Sequence, residues 1–306
     1  ESRGAHVEAF SGRDSLGLSL KLLAEDTADG LALLHELIAA STFPEEELAL
    51  QRQLIEKDLA ARDDDIFDQG SRLLRRTLFT VHPYGRDPMG SKESLARLSR
   101  ADCVAFAKQQ LVPPNMVLAV SGDVEAQQVS AIIQRLLGSL KGPASEWPDV
   151  LEAEPLEDIR QASLTVPKEQ TVILFGFRGT RVTAPDRYTL DVLTTVLSGM
   201  SGRLFQAVRE RQGLSYTLGA SNIPGWDPGF IVVYAATRPE ERQQVLTTLE
   251  EQLKAVADAG VMEDEVEQAK RTLIGNHRLD LQHVGSRAKR CALDELYGVG
   301  YDAWAS

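Results

Sequence analysis

FPEEELALQRQLIEK at residues 43–57 and VMEDEVEQAKRTLIGN at residues 261–276 share one pattern, which indicates the fold. An acidic triplet opens each segment, and three aligned pairs keep an apolar or basic character: Leu48 with Val266, Arg52 with Lys270, and Ile55 with Leu273. In both halves a strand and a long amphipathic helix come before the segment. The repeated order of strand, helix and acid-capped helix predicts a duplicated α+β unit, of which the first copy is expected to lack its beginning.

The length and one irregular stretch indicate where the two repeats divide. A chain of 306 residues fits about two domains of average size. KGPASEWPDVLEAEPLEDIR at 141–160 carries three prolines and many acidic residues without periodicity, as linkers do. We therefore predict a first repeat over 1–140, a linker over 141–160 and a second repeat over 161–306.

Hydrophobic periodicity predicts the elements of each repeat. The first half is predicted to hold a strand pair or one bent strand at HVEAFSG and SLGLSLKLLAED, a buried strand at NMVLAVSGDV, and several amphipathic helices. The second half is predicted to hold strands at TVILFGFRG and FIVVYAATR, together with further helices. Thr42 is expected to cap the helix of the acidic segment, with Pro44 in its first turn.

Composition and charge exclude some classes of protein. The formal net charge of −12 leaves no basic surplus to neutralise phosphates, which argues against a nucleic-acid binder. Cys103 and Cys291 stand far apart, so free thiols are expected rather than a disulfide. No apolar run approaches the roughly 18 residues of a membrane span. The opening ESRGAHVEAF shows no leader peptide and begins abruptly, so any targeting segment is expected to lie upstream.

Common catalytic motifs are absent from the sequence. It contains no GxxxxGK[ST], no GxSxG and no CxxC, and none of its five histidines forms HExxH or HxxEH. A self-contained zinc site is therefore not expected in these residues. RDDDIFDQ at 62–69 is expected to be a solvated helix terminus rather than a Ca²⁺ loop, and HPYGRDPMG at 82–90 a structural turn.

VRERQGLSYTLGASN at 208–222 has two interpretations. Gly213 suits the position after a helix end, and basic residues before it favour the negative pole of the helix dipole, so capping alone explains the stretch. The functional alternative places Arg209 and Tyr216 on the two arms of one turn, facing one cleft. There a guanidinium and a phenol would hold a peptide carbonyl and stabilise an oxyanion next to a metal.

Five segments together resemble the M16 family of zinc metallopeptidases, which includes insulinase, pitrilysin and the mitochondrial processing peptidase. They are HVEAFSGRD, FPEEELALQRQLI, HPYGRDPMGSKESL, NMVLAVSGDV and SGRLFQAVRERQGLSYTLGAS, in the family's order over nearly the whole chain. The resemblance implies an α+β fold of two tandem homologous repeats of the LuxS/MPP-like metallohydrolase type, the first truncated at its N-terminus. It also implies that two such halves close like a clamshell over a peptide.

The resemblance further implies a degenerate metal site. The family holds zinc by an HxxEH segment, which would lie before Glu1, and by a downstream glutamate, whose position aligns with Asp58. Gln51 replaces a supporting glutamate, and Glu8 replaces the usual asparagine. The chain is therefore expected to bind no cofactor itself, with Zn²⁺ held in a partner catalytic half.

The family's remaining site residues carry over by position. Arg209 and Tyr216 match the arginine and tyrosine that the half opposite the zinc contributes in trans to bind substrate and oxyanion. The other expected substrate contacts are Gly213, Ala9, Phe10 and Ser11, the strand residues by pairing with peptide backbone.

The sequence therefore predicts the non-catalytic half of an M16-type zinc metallopeptidase, inactive alone, that acts on unstructured peptides. Its expected partner is a catalytic M16 half, in the same polypeptide or in a separate subunit. Two alternatives stay open: a structural subunit without a peptidase role, and a zinc-active peptidase that uses Asp58 as ligand. Nucleic acid and a membrane span are not expected, and the compartment is left open between cytoplasm and periplasm.

Overall fold

The computed structural model describes residues 4–144, 150, 155–199, 202–210, 214 and 217–305. The chain forms two compact units. Unit 1 comprises Glu1–Lys57, Pro88–Asp149 and Leu279–Ser306, and unit 2 comprises Asp58–Asp87 and Val150–Arg278. These units interleave along the chain, whereas the two predicted repeats follow one another. The assignment of 1–140 and 161–306 to homologous repeats stays a prediction.

The described residues mix helices and strands, as the sequence predicts. In chain order the first elements are β1 (His6–Ser11), β2 (Leu16–Lys21), α1 (Thr27–Ala39), α2 (Glu45–Asp64), α3 (Ile66–Leu78), α4 (Lys92–Arg97), α5 (Arg100–Gln110) and α6 (Ala126–Leu137). They are followed by β3 (Thr171–Arg178), α7 (Asp186–Leu197), β4 (Thr217–Ile223), β5 (Phe230–Thr237), α8 (Arg242–Ala259), α9 (Glu263–Asp280) and α10 (Val284–Leu296). Helices α2 and α9 each continue from one unit into the other.

Unit 1 contains the predicted strand pair. β1 and β2 pair antiparallel, from His6 opposite Lys21 to Ser11 opposite Leu16. Because side chains alternate between the faces of a sheet, one face collects the apolar residues Val7, Ala9, Leu16, Leu18 and Leu20. The prediction of a strand pair is confirmed.

The predicted buried strand at NMVLAVSGDV is wrong. Residues 116–120 form no regular structure, and neither sheet of the described chain includes them. Val117, Leu118 and Val120 are each more than a third exposed. An apolar run becomes a buried strand only where neighbouring strands satisfy its backbone, and hydrophobic pattern alone does not reveal whether they are present.

The turn between α1 and α2 is held by an arginine rather than by the predicted cap. Helix α2 begins at Glu45, so Thr42 stands too early to cap it and Pro44 precedes its first turn. The Arg100 guanidinium donates to the carbonyls of Thr42 and Phe43, at 2.7 and 2.9 Å. Phe43 has a φ of 48°, a left-handed conformation that costs free energy in a residue with a side chain. Arg100 therefore stabilises a strained turn.

Unit 2 is built on a three-stranded antiparallel sheet in the order β3–β5–β4. One face packs against α7 and α8 in an apolar core formed by Ile173, Leu197, Leu204, Val208, Leu214, Val233, Ala235, Val245 and Leu249. Helix α3 covers β3 on the opposite face. There Gly70 of α3 admits the side chain of Leu174, and Gly176 of β3 admits that of Leu74, so helix and sheet approach closely.

The aspartate run after Arg62 lies at a solvated helix terminus, as expected: α2 ends at Asp64, and Asp63, Asp64 and Asp65 are exposed. The Asp65 carboxylate accepts from two backbone amides of the first turn of α3, as an N-cap does. Arg62 forms ion pairs with Asp68 at 2.8 Å and with Asp87 at 3.1 Å. Arg72 forms a third ion pair with Asp68, at 2.8 Å. These contacts fasten the end of α2 to the start of α3.

Two expectations from composition concern cysteine and membranes. Cys103 and Cys291 are both free and half-buried, which confirms the prediction of free thiols. Within the described ranges, no helix combines the length and the apolar character needed to cross a membrane.

Candidate functional site

Arg209 lies in a π-helical turn over Phe205–Glu210, at the end of which the predicted site begins. The Arg209 side chain, together with Gly213 and Tyr216, lies outside the described residues. The flanking residues are described, and they determine where the chain leaves the core of unit 2 and where it returns.

A backbone hydrogen bond joins the two flanks. Leu214 donates its N–H to the carbonyl of Val208 at 3.1 Å, and both side chains are buried in the apolar core. This bond spans more residues than the i to i−4 bond of an α-helix, and it holds Leu214 beside Val208. In the sequence, Arg209 directly follows Val208, and Tyr216 comes shortly after Leu214.

A buried hydroxyl fixes the returning chain. Thr237, the last residue of β5, donates from Oγ1 to the carbonyl of Leu214 at 2.5 Å. Thr237 is only 5% exposed, so little water competes for this bond. The start of the segment before β4 is thereby tied to the central strand of the sheet.

Apolar side chains fix the departing helical turn. Leu204 and Val208 have no solvent exposure and pack in the core with Val245 and Leu249 of α8. Complete burial of two such side chains stabilises the turn by about 3–6 kcal/mol relative to their exposure to water. Arg209 is the next residue after this buried pair.

An ion pair fastens the start of the same turn. Arg203 donates from Nε to Glu265 Oε1 at 2.6 Å and from Nη2 to Oε2 at 2.5 Å, a bidentate geometry. Both side chains are less than a fifth exposed. The hydrogen bonds from Arg203 hold the pKa of the Glu265 carboxyl below its usual range, and the Met262 amide lowers it further.

Helix α7 seals the outer edge of β4, the strand that follows Tyr216. The Ser198 hydroxyl accepts from the Ala220 N–H at 2.6 Å and donates to the Ala220 carbonyl at 2.8 Å. The Asn222 amide donates to the Asp191 carboxylate at 2.9 Å. The Ser198 hydroxyl therefore occupies the edge-facing backbone groups of β4 at Ala220.

The predicted peptide-pairing residues Ala9, Phe10 and Ser11 lie in β1, away from the Arg–Tyr segment in the sequence. Only β2 pairs with β1 among the described strands. Phe10 is half-buried and lies beneath the Lys289 ammonium, 5.0 Å from its ring centre, while Ala9 and Ser11 are exposed. A strand with one unpaired edge fits strand addition, and the role of these residues stays a prediction.

The described residues alone do not form a set of ligands for zinc. Asp58 is exposed on helix α2, and so is Gln51, about two turns before it. No group of three or more histidine, cysteine, aspartate or glutamate side chains in the described part of the chain is placed to hold a metal. Zinc sites in proteins use three or four such ligands.

His82 is a buried structural residue whose partner the sequence did not reveal. Its Nδ1 accepts from the Tyr84 N–H at 3.1 Å, so its proton lies on Nε2, which donates to Asp227 Oδ2 at 3.1 Å. The Tyr84 hydroxyl in turn accepts from the Asp227 N–H at 3.0 Å. The expected structural turn is confirmed, and it is bonded to a loop far away in the sequence.

Comparison with known sequences places this chain in a family. The family described as "Peptidase M16 inactive domain" matches residues 97–273. A protein of Mycobacterium leprae called an uncharacterized zinc protease is 30% identical over 306 residues, a match that covers 96% of this chain and 67% of that protein. A similarly named zinc protease of Rickettsia bellii is 27% identical over 293 residues, covering 94% of this chain and 69% of that protein.

Solved structures show the same fold. The crystal structure of a peptidase M16 inactive domain from Pseudomonas fluorescens superposes with a TM-score of 0.88 at 23% sequence identity. The superposition covers 99% of this chain and 73% of that one.

Proposed function

The chain belongs to the M16 peptidase family and matches its inactive domain, and from this premise we propose that it is the non-catalytic half of an M16 zinc peptidase. In this proposal it supplies Arg209 and Tyr216 to the active site of a catalytic half that holds the zinc. The catalytic half belongs to the same polypeptide or to a separate subunit. Two tandem repeats, over 1–140 and 161–306, and clamshell closure over unstructured peptides belong to the same proposal.

The observation that supports this function most is the closure between Val208 and Leu214. It anchors the chain in the core immediately before Arg209 and shortly before Tyr216. Two long side chains that start near one anchored point can reach the same group of a substrate. The capping interpretation needs only a helix end, and it gives no reason for a tyrosine on the returning arm.

The chemistry of the pair suits a peptide carbonyl. Arginine presents up to five N–H donors and stays charged, and tyrosine presents one O–H that keeps its proton at neutral pH. Donors held near the carbonyl oxygen become more effective as negative charge develops on it in the transition state. Arg209 and Tyr216 would thus bind the substrate and lower the barrier, while bond cleavage takes place in the catalytic half.

Asp58 supports the assignment of zinc to the partner. Its carboxylate is one methylene shorter than the glutamate that the family resemblance implies at this position, and metal sites tolerate little displacement of a ligand. The alternative of a zinc-active peptidase would require Asp58 to serve as that ligand.

Peptide cleavage with and without a catalytic half tests the proposal. Fluorescein-labelled casein, an unstructured polypeptide, is incubated with the protein freed of any second M16 half, with a zinc-bearing M16 half, and with both. We expect rapid cleavage only where both halves are present. Cleavage that does not depend on this chain would favour the structural subunit, and cleavage by this chain alone would favour the zinc-active peptidase.

A further inference from the structure

The bidentate ion pair of Arg203 and Glu265 lies at the start of the helical turn that ends at Arg209. From its geometry we infer that these two side chains are positioning residues for the helical turn that carries Arg209, an inference that rests on the proposed function. Neither side chain contacts the substrate in this assignment. They fix where the helical turn begins, whereas Thr237 fixes where the chain returns.

The Glu265 carboxylate is itself immobilised. Its Oε2 accepts from the Met262 N–H at 2.8 Å, at the start of α9. Arg203 also donates from Nη1 to the carbonyl of Gly260 at 3.3 Å, so the guanidinium contacts two points of the α8–α9 connection. A planar guanidinium bound at both carboxylate oxygens has a fixed orientation. The helical turn cannot slide along its axis or rotate without breaking these bonds.

The chain before Arg203 is equally confined. Gly202 is buried, and a Cβ added there would lie 2.1 Å from the carbonyl oxygen of Ser198 at the end of α7. The turn is therefore held against the end of α7 on one side and against the start of α9 on the other. The buried side chains of Leu204 and Val208 then determine how deeply the turn lies in the core.

Stability alone gives a weak reason for this ion pair. Two charges that are less than a fifth exposed lose much of their hydration, and well-packed apolar side chains often stabilise a protein as much or more. An apolar pair, however, tolerates sliding and rotation, whereas a bidentate ion pair has one geometry. A requirement that the helical turn keep one orientation therefore explains why Arg203 and Glu265 are charged.

Hydrogen exchange on the full chain measures the positioning without any need for catalysis. The test variants are Arg203→Met and Glu265→Gln. Lys270→Met is the matched control, because it breaks an exposed ion pair with Glu267 on the same helix. We expect exchange of the amides at 206–214 to accelerate about 10-fold or more in the test variants and to change less than about 2-fold in the control.

Kinetics of the assembled peptidase then connect the ion pair to the site. With labelled casein as probe, Arg203→Met is expected to lower kcat about 10-fold while KM changes less than about 2-fold. Arg203→Lys should give an intermediate kcat, because lysine keeps the charge and loses the fork. In an Arg209→Met background, Arg203→Met should lower kcat little further, because the guanidinium that the ion pair positions is then absent.

The two measurements separate the possible failures. Unchanged exchange at 206–214, equal acceleration over the whole chain, or kcat losses that multiply in the double variant would each overturn the positioning role, even where Tyr216→Phe lowers kcat. Local acceleration of exchange together with an unchanged kcat in Tyr216→Phe would instead overturn the proposed function, and with it the catalytic purpose of the ion pair.

Discussion

Leu214 donates its backbone N–H to the carbonyl of Val208 at 3.1 Å, inside the apolar core of unit 2. Burial shields this bond from competing water, so it holds the departing and the returning chain together. Arg209 and Tyr216 are attached close to its two ends. A change that opens the closure is therefore expected to displace both side chains at once.

Replacement of Thr237 by valine tests the hydroxyl that holds Leu214. Valine keeps the volume and the branched Cβ but leaves the Leu214 carbonyl without its donor. We expect the free energy of unfolding to fall by about 1–3 kcal/mol, measured by urea denaturation of the full chain.

Thr194→Val is the matched control for this change. Thr194 is also buried, but its hydroxyl bonds to the Leu190 carbonyl within its own helix. That carbonyl keeps its helical partner in the variant, so we expect a loss below about 1 kcal/mol. Equal losses in the two variants would show that the bond from Thr237 to Leu214 has no special weight.

Glu265 is expected to make stability depend on pH. Because Arg203 lowers its pKa in the folded chain, the carboxylate contributes stability that is fully present above its unfolded pKa of about 4.3 and is lost as the pH falls through the folded value. Glu265→Gln should therefore destabilise the chain at neutral pH, and the two proteins should converge only once the pH falls below the lowered pKa of Glu265 in the folded chain. Urea denaturation of both proteins at a series of pH values measures the difference, and a difference that stays constant with pH would contradict the assignment.

Two glycines should respond to alanine in opposite directions. A Cβ at Gly85 would lie 2.1 Å from the carbonyl oxygen of Phe79, so Gly85→Ala must displace the turn that carries His82, at a cost of about 1–3 kcal/mol. Gly275 lies in the middle of α9 with no neighbour near its Cβ position, so Gly275→Ala should stabilise the chain by about 1 kcal/mol. Thermal unfolding of both variants checks the two signs, and a stable Gly85→Ala protein would refute the tight packing of this turn.

Zinc analysis tests whether Asp58 acts as a ligand. We expect the protein freed of any second M16 half and purified without chelator to hold less than about 0.1 zinc per chain, and a chelator to leave its unfolding temperature unchanged. Stoichiometric zinc that is lost in Asp58→Ala, and retained in the neighbouring control Glu56→Ala, would identify a zinc-active peptidase and refute a non-catalytic half.

Local patterns in the sequence predicted much of the fold. Alternation at HVEAFSG and SLGLSLKLL gave the β1–β2 pair, and periods of 3.6 gave the helices around the acidic segments, because both signals arise within one element. Helix α10 was not predicted, although VGSRAKRCALDEL contains no helix breaker after Gly285. The basic residues within α10 interrupt the apolar pattern, so no hydrophobic stripe indicates this helix in the sequence.

Local sequence patterns do not predict contacts between residues that lie far apart in the sequence. The bonds of His82 to Asp227 and of Arg203 to Glu265 join residues far apart in the sequence, and nothing local marks them. The same limit explains the error at Val117 and Leu118, since an apolar run does not show whether a neighbouring strand is available. The spacing of Arg209 and Tyr216 could be read from the sequence, whereas the hydrogen bond from Leu214 to Val208 could be found only in the structure.

The turnover of Tyr216→Phe in the assembled peptidase tests the central claim most directly. We expect kcat on labelled casein to fall by about 10²-fold, as for loss of one donor to an oxyanion. Tyr301→Phe, which removes a hydroxyl from an exposed tyrosine in unit 1, should leave kcat unchanged. An unchanged kcat in Tyr216→Phe, in a protein that folds and assembles normally, would contradict the claim that this chain completes the active site.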